Sequence, residues 1–213
     1  MMQIKCFEFN FLPVNTYVVW DETKESAIID PGCFYPGETD TLAQFIKDNG
    51  LEGKLLLNTH LHFDHVFGNN FVEETYGVKA RANDLDMPWI RTMSARLSVF
   101  GIDYKGHVNP IEPENVINEG DSVSFGNTTL HVLHVPGHSP GSLVFWNKEQ
   151  NCVFTGDVIF QGSYGRTDFP DGNHEALMTG IRTKLLTMPD ETVVYPGHGP
   201  ITTIKHERNY YRL

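Results

Sequence analysis

One short segment carries an unusual density of metal-binding side chains. Residues 60–65, His-Leu-His-Phe-Asp-His, contain three histidines and an aspartate, and they follow the apolar run Leu55 to Leu57. Because side chains alternate along an extended chain, His60 and His62 point to the same side and can bind one ion together. Asp64 and His65 follow in a turn, where they are better placed for a second ion. The fold must therefore bring further ligands to the end of this strand.

Two simpler explanations compete with metal binding. A row of histidines can be a polar loop, and Asp64 lies close to the N-cap position of a helix predicted over residues 66–76. The spacing also differs from the helical His-Glu-x-x-His pattern, in which the two imidazoles lie one turn apart. Ligand-type residues rarely crowd directly after a buried strand without a metal, so we favour metal binding.

Three further candidate ligands each follow an apolar strand. His138 lies in a turn rich in proline and glycine, which presents its imidazole, and His198 lies in a near copy of that turn. Asp157 follows another strand, and its two carboxylate oxygens can bridge two cations. The predicted first site is His60, His62 and His138, the predicted second site is Asp64, His65 and His198, and Asp157 lies between them.

Nitrogen and oxygen ligands of this kind suit zinc, and iron or manganese accept the same donors.

Asp30, at the end of a predicted strand, either supports a metal ligand or organises its own turn. The five other histidines lack the position at a strand exit and are assigned no metal: His107, His131, His134, His174 and His206. The assignment carries one reservation, for His107, which lies in the possible pocket roof.

The periodicity predicts an α+β fold of two packed sheets with helices outside, in a single domain covering residues 1–213. Strands are expected over residues 3–8, 17–20, 26–29, 54–58, 122–125, 128–135, 143–146, 152–155 and 193–195. Helices are expected over residues 38–49, 66–76, 84–101 and 175–186. The apolar region 84–109 forms either core or a roof over the substrate pocket.

Charge and cysteine content exclude several classes of protein. The formal charge of -11 argues against nucleic-acid binding. Cys6, Cys33 and Cys152 lack the spacing of a disulfide framework or a zinc knuckle, and they are expected to be reduced and mostly buried. With no secretory h-region and no apolar stretch of about 20 residues, we expect a cytoplasmic protein with no membrane partner. Nothing in the sequence predicts an oligomeric state.

These residues resemble the metallo-β-lactamase superfamily, with His-x-His-x-Asp-His at 60–65 followed by His138, Asp157 and His198 in the expected order. The resemblance spans nearly the whole chain. It implies an αββα sandwich of two mixed β-sheets with helices on the outer faces. It also implies that the metals lie at one edge, where the loops after the strands converge.

Within that superfamily the chain is similar to the short, single-domain glyoxalase II branch, the hydroxyacylglutathione hydrolases. The motifs are Pro-Gly-His-Ser-Pro-Gly, Thr-Gly-Asp-Val-Ile-Phe, Gly-Arg-Thr-Asp-Phe-Pro and Gly-His-Gly-Pro. The resemblance implies hydrolysis of S-acylglutathione thioesters such as S-lactoylglutathione, without the C-terminal helical extension that binds glutathione in two-domain members. Arg166 falls near the position of a substrate-binding basic residue in that group. Alternatively, Arg166 pairs with Asp168.

The function predicted is metal-dependent hydrolysis of a small-molecule acyl thioester by a metal-activated hydroxide, with Asp64 and Asp157 as catalytic carboxylates. The motif Gly-Arg-Thr-Asp-Phe also resembles persulfide dioxygenases, which would use one iron on His60, His138 and Asp157. A lactonase or esterase on the same dinuclear site is a third hypothesis. A nuclease is disfavoured by the acidic charge, and a non-catalytic metal protein by the coordination positions that seven ligands leave open on two ions.

Overall fold

The first half of the chain builds a five-stranded mixed sheet. The structure, a computed structural model, describes residues 1–104 and 106–211. The strands lie in chain order: β1 (Gln3–Phe9), β2 (Val14–Trp20), β3 (Glu25–Ile29), β4 (Glu52–Leu57) and β5 (Ala80–Arg81). The first three are antiparallel, and β3, β4 and β5 are parallel. The helices that connect or follow them are α1 (Pro36–Asp48), α2 (Phe63–Val66), α3 (Asn69–Tyr76) and α4 (Met87–Val99).

The second half builds a six-stranded mixed sheet, in the order β13-β12-β9-β8-β7-β6. Its strands are β6 (Ser122–Phe125), β7 (Thr128–His134), β8 (Leu143–Asn147), β9 (Cys152–Gly156), β12 (Val193–Pro196) and β13 (Thr202–Thr203). A small hairpin, β10 (Ile159–Phe160) with β11 (Ser163–Tyr164), stands apart from it. The helices are α5 (His174–Gly180), which continues as a π-helical turn, and α6 (Ile204–Tyr211).

Both faces of each sheet are covered, and this explains the unbroken apolar run in β4. Leu55 and Leu57 pack between the two sheets, in the same cluster as Phe145 and Phe154 of the second sheet. Leu56 points the opposite way and packs in the cluster formed with the outer helices. A strand buried on both faces has no polar side, so its sequence does not alternate. The fold is therefore the predicted αββα sandwich.

Parallel pairing brings the loops after several strands to one edge of the molecule. The parallel strands β3 and β4 end together in one sheet, and the parallel strands β9 and β12 end together in the other. Two backbone hydrogen bonds join these ends across the sandwich: Leu143 N–H donates to the Thr59 carbonyl at 2.7 Å, and Asn15 N–H donates to the Gly197 carbonyl at 2.7 Å. This convergence creates the edge at which the predicted ligands meet.

The predicted helix over residues 66–76 is interrupted. The chain forms α2, pauses, and then forms α3, because Gly68 N–H donates to the Pro31 carbonyl at 2.7 Å instead of continuing the first helix. A side chain at Gly68 would lie 2.7 Å from that same carbonyl oxygen, so glycine is required for the close approach. The helix predicted over 175–186 is likewise split into α5 and a π-helical turn at Ile181–Leu185. The strands of two residues and α6 were not predicted, because such short segments have no measurable period.

No helix in the described part of the chain combines the length and the apolar character that crossing a bilayer requires. Cys33 and Cys152 are buried free thiols, as expected, whereas Cys6 is exposed.

Candidate metal centre

The segment after β4 holds His60 and His62 on one side, as the alternation predicted. Their ring centroids lie 4.6 Å apart. Two buried carboxylates fix the backbone around them: Thr59 N–H donates to Asp30 Oδ1 at 2.8 Å, and Leu61 N–H donates to Asp86 Oδ2 at 3.2 Å. The pair of imidazoles is therefore positioned by its backbone as well as by its packing.

Asp64 does not cap a helix. The N-cap of α2 is His62 and that of α3 is Gly68, so the capping explanation for Asp64 is wrong. The Asp64 carboxylate instead faces the cluster, with Oδ2 3.4 Å from His198 Nε2 and 3.7 Å from His65 Nε2. The helix begins at Phe63, three residues earlier than predicted, and this start places Asp64 in its first turn instead of at its cap.

Asp157 lies at the centre of the histidines. Its Oδ1 is 3.4 Å from His65 Nε2, and its Oδ2 is 3.5 Å from both His138 Nε2 and His198 Nε2. A side chain at Gly197 would overlap Asp157 Oδ1 and would lie 2.9 Å from His65 Cε1. Glycine beside His198 therefore leaves room for the carboxylate between the two groups of histidines.

The structure brings all seven predicted ligands together. Three groups have ligand atoms within 4.8 Å of one another: His60, His62 and His138; Asp64, His65 and His198; and His60, His65 and Asp157. The first two groups match the two predicted sites, and the third connects them through Asp157. None of the five other histidines belongs to such a group within residues 1–104 and 106–211.

Hydrogen bonds at Nδ1 orient three of the imidazoles. His65 Nδ1 lies 3.0 Å from Asp30 Oδ2, His138 Nδ1 lies 2.8 Å from the Arg166 carbonyl, and His198 Nδ1 lies 3.1 Å from the Pro13 carbonyl. Carbonyl and carboxylate oxygens only accept, so each Nδ1 carries the proton and donates it. In a neutral imidazole each Nε2 is then left with a lone pair facing the cluster, which is the tautomer that metal ligation requires; a protonated His65 would have to release its Nε2 proton to bind an ion.

His60 and His62 are oriented differently. The Thr59 hydroxyl donates to Asp30 Oδ2 at 2.6 Å, so it accepts from His60 Nδ1 at 3.1 Å. His62 Nδ1 lies only 2.9 Å from His138 Nε2. Because His138 Nε2 carries a lone pair, a positive centre must lie between the two nitrogens, either a proton on His62 or a cation that both ligate.

Several ligand atoms have no hydrogen-bond partner although they are buried: Nε2 of His60, Nε2 of His65 and Oδ1 of Asp157. Leaving a buried polar atom unsatisfied costs about 1–3 kcal/mol, so a native site with this many needs an explanation. Divalent metal ions supply one, because each accepts nitrogen and oxygen lone pairs from several directions. The residues present therefore fit metal ions.

The electrostatics of the cluster favour a positive charge. Burial, reinforced by His65 and His62, holds the pKa of His60 well below its usual range, so this imidazole is neutral as a ligand must be. Burial also opposes ionisation of His65, but the carboxylates of Asp157, Asp64 and Asp30 raise its pKa well above the usual range. Burial works against the Asp157 carboxylate, yet His65 and His198 hold its pKa well below the usual range.

Of the two roles that the sequence left open, Asp30 takes the supporting one, since its carboxylate contacts Thr59 and His65 and not its own turn. It is buried, it has a left-handed backbone (φ 49°) at the turn after β3, and it supports His65 and Thr59 by hydrogen bonds.

Asp86 was missed by the sequence analysis. Its carboxylate accepts hydrogen bonds from Leu61 N, from the Ser139 hydroxyl at 2.7 Å and from Gly141 N at 2.6 Å. It therefore ties the segment of His60 and His62 to the turn that carries His138. Burial raises the pKa of Asp86, while these donors oppose the rise. No sequence signal distinguished it from an ordinary residue near a helix start.

A cavity of about 660 Å³ opens onto the cluster. Most of its walls are apolar: Leu12, Phe63, Trp89, Val99, Phe100, Phe160 and Phe169. The region 84–109, of which Lys105 lies outside the described residues, contributes to both core and roof. Met93 and Leu97 of α4 are buried in the core, whereas Val99 and Phe100 line the cavity and are exposed.

Arg166 lines this cavity and also makes the alternative ion pair. Its Nε and Nη2 donate to the two oxygens of Asp168 at 2.6 Å and 2.7 Å, and its guanidinium lies 4.5 Å from the centre of the Phe169 ring. Arg166 therefore both pairs with Asp168 and lines the cavity.

A metallo-beta-lactamase superfamily model matches residues 9–198, which include every predicted ligand. The chain belongs to the metallo-beta-lactamase superfamily. It is a metallo-hydrolase of that superfamily, with a metal-binding cluster of histidine and aspartate side chains. It is 37% identical to the hydroxyacylglutathione hydrolase GloC of Haemophilus influenzae over 97% of this chain and 95% of that protein.

Two solved structures of the superfamily are also similar. The di-iron-bound form of TTHA1623 has a TM-score of 0.84 and 33% identity, covering 97% of this chain and 98% of that one. ETHE1 from Myxococcus xanthus has a TM-score of 0.77 and 27% identity, covering 98% of this chain and 82% of that one.

Proposed function

We propose that this metallo-hydrolase cleaves acyl thioesters of the S-acylglutathione class, of which S-lactoylglutathione is an example. The observation that carries the proposal is the cluster of seven ligands at the floor of an apolar cavity whose mouth carries arginines. The 37% identity to a hydroxyacylglutathione hydrolase over nearly the whole chain supports this substrate class.

Two divalent ions would be held by His60, His62 and His138, and by Asp64, His65 and His198, with Asp157 between them. Such ions lower the pKa of a bound water and polarise an acyl carbonyl. We propose zinc, because nitrogen and oxygen donors without cysteine suit it; iron and manganese accept the same donors, and the di-iron form of TTHA1623 supports iron as an alternative.

The chain's own residues position the reacting groups. Asp157, reached by both groups of histidines, would accept a hydrogen bond from the attacking water and orient it, and Asp64 would do so from the side of His198. Trp89 and Phe169 line the cavity, where they would pack against the acyl group and exclude bulk water. Arg166 offers a cation to an anionic part of the substrate. The thiolate leaves without strong acid assistance, which is why a thioester suits a site whose described residues offer no obvious general acid.

The cellular setting belongs to the same proposal. We propose a single domain over residues 1–213 that works in the cytoplasm on a small molecule. The three free cysteines support a reducing compartment.

Hydrolysis of S-lactoylglutathione by the purified protein, loaded separately with zinc, iron or manganese, tests this function. We expect turnover in at least one metal form and none after chelation. A panel including a lactone and a simple ester separates thioesterase from lactonase or esterase activity. Absence of thioester cleavage in every metal form would overturn the proposal.

A mononuclear-iron persulfide dioxygenase is the second candidate, and the likeness to ETHE1 is compatible with it. It predicts oxygen consumption with glutathione persulfide, one iron per chain, and activity largely retained in His65→Ala. Hydrolysis predicts two ions per chain and loss of activity in His65→Ala. Metal content and an oxygen electrode therefore distinguish the two.

A further inference from the structure

Two arginines line the cavity, and their partners differ. Arg166 is mostly exposed, and both oxygens of Asp168 accept from it, so its charge is already paired. Arg96 of α4 is half-buried and makes one side-chain hydrogen bond, from Nε to Thr92 Oγ1 at 2.9 Å. Among residues 1–104 and 106–211, no carboxylate forms an ion pair with Arg96. Its two Nη groups are thus available to a ligand.

Trp89 holds the Arg96 guanidinium beside the metal centre. The guanidinium carbon lies 3.5 Å from the centre of the Trp89 ring. That ring is buried, its Nε1 donates to Asp171 Oδ2 at 2.7 Å, and its centroid lies 3.9 Å from that of His62. An arginine stacked on an anchored indole loses little further freedom when it binds a ligand, because its plane is already set.

The charges around the cavity favour an anion. The whole chain carries a formal charge of -11, yet the only acids lining the cavity within the described residues are Asp64 and Asp157, both of the metal cluster. The other charged side chains of its walls are Arg96 and Arg166. A planar guanidinium with two free Nη groups matches a carboxylate, which accepts two parallel hydrogen bonds.

The position of Arg96 sets where that carboxylate must be. The Trp89 ring separates Arg96 from His62, so a carboxylate at Arg96 lies several bonds from a carbonyl at the cluster. A small acyl group such as lactoyl does not extend that far, and the thiol moiety of a thioester does.

We propose that Arg96 binds a carboxylate on the thiol moiety of the substrate and is the main determinant of selectivity for anionic thioesters. This inference rests on the proposed thioesterase function. It makes Arg96 the principal anion contact and leaves Arg166, paired with Asp168, a secondary one.

Matched thioesters test the proposal. S-Lactoylglutathione and S-lactoyl-N-acetylcysteamine share an acyl group, but only the first has carboxylates on its thiol. For the first substrate we expect Arg96→Gln to raise KM about 10-fold to 100-fold with kcat changed less than about 2-fold, because a charge-assisted hydrogen bond is lost. For the second, kcat/KM should be unchanged within about 2-fold. Arg96→Lys should lie in between, since it keeps the charge but loses the fork.

Arg91 provides the matched control. It is an exposed arginine of the same helix and does not line the cavity, so Arg91→Gln should leave both substrates unaffected. Equal losses on both substrates in Arg96→Gln would mean that Arg96 acts only by packing on Trp89, and would overturn the proposal. A larger effect of Arg166→Gln than of Arg96→Gln on S-lactoylglutathione would overturn it as well.

Binding of S-methylglutathione, measured by titration calorimetry on the metal-loaded protein, separates this inference from the proposed function because it needs no turnover. We expect the wild type to bind and Arg96→Gln to bind about 10-fold or more weakly. Equal binding by the two proteins, or no binding by the wild type, would overturn the role of Arg96 even if thioesters are hydrolysed. Binding that depends on Arg96 without any hydrolysis would contradict the proposed reaction alone.

Discussion

The floor and the mouth of the cavity are built in different ways. The ligands at the floor follow strands of both sheets, and buried groups such as Asp30 and Asp86 hold their backbone and side chains by hydrogen bonds. At the mouth, Val99 and Phe100 are 84% and 66% exposed. Several independent hydrogen bonds therefore fix the geometry of the metal centre, whereas we expect substrate choice to depend on a few side chains of α4 and of the loop around Arg166.

The largest effect is expected at the centre of the floor. Asp157→Asn removes the carboxylate that both groups of histidines reach, so we expect metal content to fall and kcat/KM to drop by about 10³-fold or more. Elemental analysis and steady-state kinetics measure both. His131→Ala, on β7 and outside the three ligand groups, serves as the control and should keep its metal. Near-normal activity in Asp157→Asn would contradict the assigned centre.

Loss of the support behind the ligands should have a smaller effect. Asp30→Asn keeps the shape of the side chain but removes the charge beside His65 and Thr59, so metal affinity should fall about 10-fold to 100-fold. Competition with a chelator of known affinity measures the change. The exposed Asp48→Asn on α1 should not alter metal affinity, and an unchanged affinity in Asp30→Asn would show that the floor is less dependent on its hydrogen bonds than we infer.

Asp86 tests whether the two ligand-bearing loops depend on a common support. In Asp86→Asn an amide nitrogen replaces one carboxylate oxygen and cannot accept, so the side chain loses either the hydrogen bond of Gly141 or those of Ser139 and Leu61. We therefore expect about 2 kcal/mol lower free energy of unfolding and about 10-fold lower kcat/KM. Denaturant titration and kinetics give the two values. The matched control is Asp84→Asn, an exposed residue of the same turn, which should change neither quantity.

The smallest effect is expected at the mouth. Phe100→Ser removes an exposed apolar side chain whose one aromatic ring contact in the described part of the chain is with Phe63. KM should therefore change by about 2-fold to 5-fold while metal content and unfolding temperature stay the same. Kinetics with acyl groups of increasing length measure the change. A loss of metal in this variant would erase the distinction between floor and mouth.

Much of the site could be predicted from the sequence because its signals are local. His60 and His62 share a side through strand alternation, and the turns around His138 and His198 present their imidazoles wherever they lie in the fold. Apolar periodicity and element order predicted two packed sheets with helices outside, the resemblance to the superfamily implied the αββα sandwich, and the structure confirms both. Arg166 could be placed near the pocket only through resemblance, and its role in binding stays a prediction.

Tertiary structure decided what depends on residues far apart in the chain. The break at Gly68 results from its contact with the Pro31 carbonyl. The start of α2 at Phe63 decided between the two explanations of Asp64, because it leaves His62 as the cap and Asp64 facing the cluster. Asp86 reaches Gly141 across 55 residues, and no local pattern records such a contact. The availability of Arg96 has the same origin, because only packing reveals which of two arginines already has a carboxylate partner. The sequence alone therefore determined the types of the predicted ligands and their positions at strand exits, because these follow from short-range backbone geometry. The supporting carboxylates, such as Asp86, and the unpaired charge of Arg96 arise from packing between distant segments.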